Sequence, residues 1–149
     1  MKKRWILIAL IAMIILAMVF VLPSDPVIAA KMVVYKSPSC SCCGGYISYS
    51  ENKIGGVETV LTDNVDAIKN DAGIPGNMRS CHTSLIGGYF VEGHVPIEAI
   101  QKLLDEQPDL DGITLPNMPA GSPGMGGVKQ EPFTIYGVKD GVVSEFMKV

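Results

Sequence analysis

The 149-residue sequence has little net charge, −3 from 12 basic and 15 acidic side chains. It therefore offers no basic field to meet a nucleic acid, and no block of acids forms a tail. Also missing are a Ser/His/Asp order, a phosphate-cradling glycine loop and a paired-carboxylate signature, so nothing points to hydrolytic or phosphoryl-transfer chemistry. The acids of "EPF" and "DLDG" read as solvated loop residues. There is no internal repeat and no sign of a second domain. The two separated Cys-x-x-Cys knuckles of a zinc ribbon are absent too.

What stands at the N-terminus is a targeting signal. "MKKRW" supplies three cationic residues, and Trp5 to Leu22 is an unbroken apolar run ending at "PSDP". That run exceeds a usual signal-peptide core of about 7–15 residues and reaches the short end of the roughly 17–25 that span a bilayer. The basic end is expected to stay cytoplasmic and the remainder to be exported. Residues 1–30 are thus read as a signal peptide or membrane anchor. The small residues of "VIAA" offer a cleavage site, while the run's length favours an uncleaved anchor over residues 5–22. A buried core helix fits less well, because the run has no polar face and no caps. Residues 31–149 suffice for one domain with a modest core.

Along that domain, Lys31–Tyr35 predicts a strand leading into "SPSCSCCGGY", with a weakly encoded helix from about Gly44 to Lys53. "VETVLT" predicts a second strand, and Asp63 or Asn64 can cap a short helix that stops at Gly73. "TSLIGGYFVEG" has the strand, two-residue turn, strand pattern of a hairpin. Pro96 then opens a helix carrying Ile97, Ile100, Leu103 and Leu104 at helical spacing. Asp109 to Pro132 is rich in Gly and Pro and is expected to be an irregular surface segment, before a closing hairpin in "FTIYGVKDGVVSEFMKV". This order predicts an α/β, thioredoxin-like fold with a mixed sheet, preceded by the N-terminal hydrophobic helix.

The chemistry is concentrated in four cysteines. Cys40, Cys42 and Cys43 crowd into the loop after the first strand, where the unpaired N–H groups of the next helix favour thiolate. Cys81, in "MRSCHT", enters the third strand and in such a fold can approach the other three. Structural disulfides are the ordinary reading of an even cysteine count in an exported chain. Three thiols within four positions nevertheless make poor staples: neighbours strain, and Cys40–Cys43 closes a tiny loop. Redox chemistry is the sharper rival, since Cys40 and Cys43 have Cys-x-x-Cys spacing after a strand. It leaves Cys42 unexplained, and Ser80-Cys81-His82 stands where many thioredoxin-like oxidoreductases carry a proline. A metal site accounts for all four. Clustered soft thiolates suit Cu(I), including a multinuclear cluster with bridging sulfurs, and suit zinc less well.

Other donors are secondary. Met118 and Met125 could cap a Cu(I) site as thioethers, against the simpler reading of methionines folded over the surface. His82 adjoins Cys81, but strand alternation would turn the two side chains to opposite faces. His94, in "EGHVP", reads equally as a hydrogen-bonded loop residue.

Three separated stretches, "SPSCSCCGG", "MRSCHTSLIGGYFVEGHVPIEAIQKLL" and "LPNMPAGSPGM", resemble the CopG-type copper-resistance proteins, in matching order over about Lys31 to Val149. The resemblance implies a thioredoxin-like, exported domain that binds copper through Cys40, Cys42, Cys43 and Cys81 and takes part in copper handling, with redox activity as a further option. It also places His94, Met118 and Met125 beside the site. Gly45 and the Ser/Tyr-rich stretch after it depart from the amphipathic helix expected there. The reading is an exported copper-binding protein with copper ions and other copper-handling proteins as partners, membrane contact through the N-terminal segment and no nucleic acid. The alternative is a thiol–disulfide oxidoreductase using Cys40 and Cys43, so a copper- or thiol-linked enzymatic role stays open.

Overall fold

A computed structural model describes Arg4 and residues 28–149. The hydrophobic run of residues 5–22, expected to form the helix of a signal peptide or membrane anchor, lies outside the described residues. No helix among the described residues is long and apolar enough to cross a membrane.

The described residues build one seven-stranded mixed sheet with three α-helices between Ile28 and Lys148. β1 (Ile28–Lys36) runs into α1 (Cys42–Glu51), then β2 (Ile54–Leu61), α2 (Val65–Asp71) and a 3-10 turn at Gly76–Met78. β3 (His82–Ile86) and β4 (Tyr89–Gly93) form the hairpin, followed by α3 (Ile97–Glu106), β5 (Gly112–Leu115), β6 (Thr134–Lys139) and β7 (Val142–Lys148). The spatial order is β2-β1-β3-β4-β5-β6-β7. The β1/β2 and β4/β5 pairs are parallel and the rest antiparallel.

β2 starts three residues and α1 two residues earlier than the sequence pattern predicts, and two further differences matter more. β1 starts at Ile28, inside the segment read as a targeting signal. Ile28 is 4% exposed, faces Ile54 across the β1/β2 pair and donates its N–H to the Lys53 carbonyl at 3.0 Å. β5 lies inside the stretch expected to be irregular. "GITL" is short and flanked by turn residues, yet all four positions are buried between β4 and β6. Its strand character comes from that burial, not from a pattern a four-residue run can show.

The core joins Met32 and Val34 of β1 to Ile86, Val91, Ile113 and Ile135 of neighbouring strands, with Ala99, Ile100 and Leu103 of α3 packed on them. Each buried Ile or Leu contributes about 1.5–3 kcal/mol relative to exposure. α1 is different. Its buried residues are Cys43, Tyr46 and Ser50, one stripe at helical spacing with a single large apolar body. The absence of an apolar face explains its weak sequence signature; packing of Tyr46 holds it.

Strand directions bring four chain segments to one end of the sheet. Antiparallel pairing sets Lys36, the last residue of β1, opposite His82, the first of β3. It also sets Thr83 opposite Glu92, near the end of β4. Parallel pairing sets Gly93 beside Leu115, the end of β5. The cysteine loop, Cys81, His94 and the start of the Gly/Pro segment therefore meet at that end.

Candidate metal centre

α1 begins at Cys42, and its N-cap residue Ser41 makes no side-chain cap bond. Cys42 and Cys43 thus occupy a first turn whose amides have no side-chain cap from Ser41. Cys40 and Cys43 are joined by a disulfide, while Cys42 and Cys81 are free thiols. This revises the picture of four free thiolates: in the state described, two of the four sulfurs are bonded to each other. Cys42 Sγ lies 3.6 Å from Cys40 Sγ and 3.9 Å from Cys81 Sγ, and Cys43 Sγ lies 3.6 Å from Cys81 Sγ. All four sulfurs fall within 4.8 Å of one another. Cys43 is buried, and the other three are half-buried.

Cys81 also belongs to a second group. Its Sγ is 3.3 Å from His82 Nδ1 and 3.3 Å from His94 Nε2, and the three donor atoms lie within 4.8 Å of one another. Strand alternation had set His82 apart from Cys81. The alternation does not apply, because Cys81 sits in the bend before β3 and only His82 is a strand residue. His94 Nδ1 is 2.7 Å from the Pro123 carbonyl. A carbonyl oxygen can only accept, so Nδ1 carries the hydrogen and Nε2 presents its lone pair to Cys81. His82 Nε2 is buried without a hydrogen-bond partner.

Burial governs the electrostatics. It pushes the Cys81 thiol up to about 11, with the nearby Cys42 sulfur adding to the effect. The helix-terminus argument for thiolate thus does not extend to Cys81. Burial pushes His82 down to about 3, helped by His94, Lys69 and Lys36, and lowers His94 as well. Both imidazoles are therefore neutral near pH 7, the form that ligates metal. Tyr46 packs against both, its ring centroid 4.7 Å from that of His82 and 5.2 Å from that of His94, while the two imidazole centroids are themselves 5.1 Å apart. Its hydroxyl donates to the Val95 carbonyl at 3.0 Å.

The Gly/Pro segment closes over this group. Ser122 is 1% exposed, and Pro123 takes the His94 hydrogen bond. A Cβ on Gly45 would stand 2.6 Å from the Gly124 oxygen, and one on Gly124 would stand 2.3 Å from the Tyr46 nitrogen. Gly45, which weakened the predicted helix, is there because the returning loop touches the helix backbone. Met118 and Met125 are half-buried in that loop.

Sequence reasoning had not singled out Tyr46, Pro123, Lys69 or Glu92. Glu92 carried a signal: a lone acid in the apolar run "YFVEG" must be buried, and a buried carboxylate needs partners.

A family profile described as "Protein of unknown function, DUF411" matches residues 78–125, the stretch from the 3-10 turn through the closing loop. No curated protein matches. Among solved structures, "Copper resistance protein copG- Form 2" is 37% identical with a TM-score of 0.74, covering 81% of this chain and 98% of that one. "Copper resistance protein copG- Form 1" is also 37% identical, with a TM-score of 0.72 and coverage of 84% and 98%. The chain belongs to the CopG-type copper-resistance protein family. The CopG resemblance read from the three sequence motifs thus extends over 98% of those relatives' length.

Proposed function

We propose that this protein binds Cu(I) through the thiolates of Cys40, Cys42, Cys43 and Cys81 and contributes to copper resistance outside the cytoplasm. The observation that carries this reading is the convergence of four sulfurs from two distant segments within 4.8 Å. Soft, crowded thiolates match Cu(I), and sulfurs this close can bridge more than one ion, whereas four-thiolate zinc sites ordinarily draw on two separated Cys-x-x-Cys pairs, which this sequence lacks. The solved relatives described as copper resistance proteins support the same metal. His82 and His94, neutral beside Cys81, are available as nitrogen donors, and Met118 and Met125 are soft donors on the closing loop. The order β1-α1-β2-α2-β3-β4-α3, with parallel β1/β2 and an antiparallel hairpin, supports a thioredoxin-like core extended by β5, β6 and β7. Export, with the chain tethered through residues 5–22, rests on the N-terminal apolar run.

Copper loading through all four sulfurs requires the Cys40–Cys43 bond to be reduced first. The test is Cu(I) titration of the fully reduced chain under anaerobic conditions against a competing chelator, with Zn(II) run separately. Uptake of more than one Cu(I) per chain, lost on thiol alkylation, is the expected result. Absent uptake by reduced protein removes the reading.

The Cys40–Cys43 disulfide itself favours a second reading, thiol–disulfide exchange, because the free Cys81 sulfur lies 3.6 Å from Cys43 Sγ. Metal-free protein that neither reduces nor oxidises any test disulfide would rule this out.

A further inference from the structure

Among the described residues Glu92 is the only fully buried carboxylate. It lies on β4, two residues before His94, and its bonds all lead to the approach of Cys81. Oε1 accepts from Lys69 Nζ at 2.5 Å and from the Ser80 backbone N–H at 2.5 Å. Oε2 accepts from Thr83 Oγ1 at 2.6 Å, and Thr83 Oγ1 in turn accepts from Lys69 Nζ at 3.0 Å. One carboxylate therefore grips the residue immediately before Cys81 and the residue immediately after His82. The next residue, Gly93, adds a steric limit: a Cβ there would stand 2.8 Å from Ser80 Cβ. The backbone of Cys81 and His82 is held by β4 from both sides.

A buried ion pair is weak evidence for stability, because the cost of removing two charges from water offsets most of their attraction, and apolar replacements of similar size often serve as well. The pair's contribution is better sought in geometry. The Ser80 amide sits in a bend outside the sheet ladders, so Glu92 is what fixes its direction. Cys81 is also the one cysteine that does not ride on the α1 loop. Its sulfur reaches Cys42, Cys43, His82 and His94 only if that bend is held.

We propose that Glu92, with Lys69 as its counter-ion and Thr83 as its brace, is a positioning residue for Cys81, setting where that sulfur stands relative to the other three and to the two histidines. This rests on the copper reading for its function but not for its geometry. Supporting contacts of this kind typically alter metal affinity by roughly 10–100-fold without touching the metal.

The test uses the full chain with the Cys40–Cys43 bond intact, so that Cys42 and Cys81 are the free thiols and Cys42 serves as internal reference. Site-resolved mass spectrometry measures the alkylation rate of Cys81 relative to Cys42 in the parent, in Glu92→Gln and in the double variant Lys69→Met/Glu92→Leu. Cu(I) affinity of the reduced proteins and their thermal midpoints are measured alongside. The expected result is a double variant that melts within a few degrees of the parent, with the Cys81-to-Cys42 ratio changed several-fold and Cu(I) affinity lowered about tenfold or more. A variant that melts like the parent and keeps both the ratio and the affinity overturns the proposal. If the double variant does not fold, Glu92→Gln decides: a changed ratio supports positioning, and a parental ratio overturns it. Should the reduced parent bind no Cu(I), the copper reading fails on its own, and the alkylation ratio still decides whether Glu92 positions Cys81.

Discussion

His94 donates its Nδ1 hydrogen to the Pro123 carbonyl at 2.7 Å, and this bond aims its Nε2 at Cys81 Sγ, 3.3 Å away. The loop between β5 and β6 thereby sets the tautomer of a residue on the far side of α3 in sequence. The Gly/Pro segment is part of the site's architecture, closed against both the histidine and the first turns of α1.

Closure of that loop depends on Gly124. Its φ is +74°, and a Cβ would stand 2.3 Å from the Tyr46 nitrogen. Gly124→Ala should lower stability by about 1–3 kcal/mol through backbone strain and overpacking. Chemical denaturation of the variant against the parent checks this; an unchanged midpoint would mean that the loop does not close on α1 in solution.

Cys81 is the only cysteine contributed by the β3 side. Cys81→Ser keeps the shape of the bend but replaces the soft donor, and Cu(I) affinity should fall by roughly 100-fold or more, beyond what losing an indirect supporting contact costs. Chelator competition on the reduced variant measures it. Parental affinity and stoichiometry would place Cys81 outside the ligand set.

The pH dependence of Cys81 reactivity follows from its burial. Since its thiol is pushed up to about 11, the thiolate is the minor form near neutrality and grows about tenfold with each pH unit. In the metal-free protein with the Cys40–Cys43 bond intact, the alkylation rate of Cys81 should climb steadily from about pH 7 to pH 9. A plateau within that interval would show a thiol that ionises far more readily than its burial allows.

The start of strand β1 makes a separate prediction. A chain starting at Lys31, as cleavage after Ala30 would leave it, loses the buried Ile28 side chain and its N–H bond to Lys53. It should be about 2–3 kcal/mol less stable than one that keeps Ile28–Ala30. Denaturant midpoints of the two chains decide it, and equal midpoints would show that β1 needs nothing before Lys31.

Local pattern alone determined the order of most elements. The β-branched runs, the Gly87-Gly88 turn and the apolar spacing of α3 each carry their signal within a few residues, so they could be read directly. The crowding of Cys40, Cys42 and Cys43 was equally visible, because sequence neighbours stay neighbours in space. Other features were decided only by tertiary structure. β5 is a strand because β4 and β6 bury it, the exposure of Gly45 to Gly124 depends on where a distant loop returns, and the approach of Cys81 to the other sulfurs depends on antiparallel pairing of β1 with β3. Which sulfurs are bonded, and which side chains hold Cys81 in place, are likewise relations between distant segments. Residue spacing specifies local conformation, whereas long-range contacts form only where strand register and burial bring separate segments together.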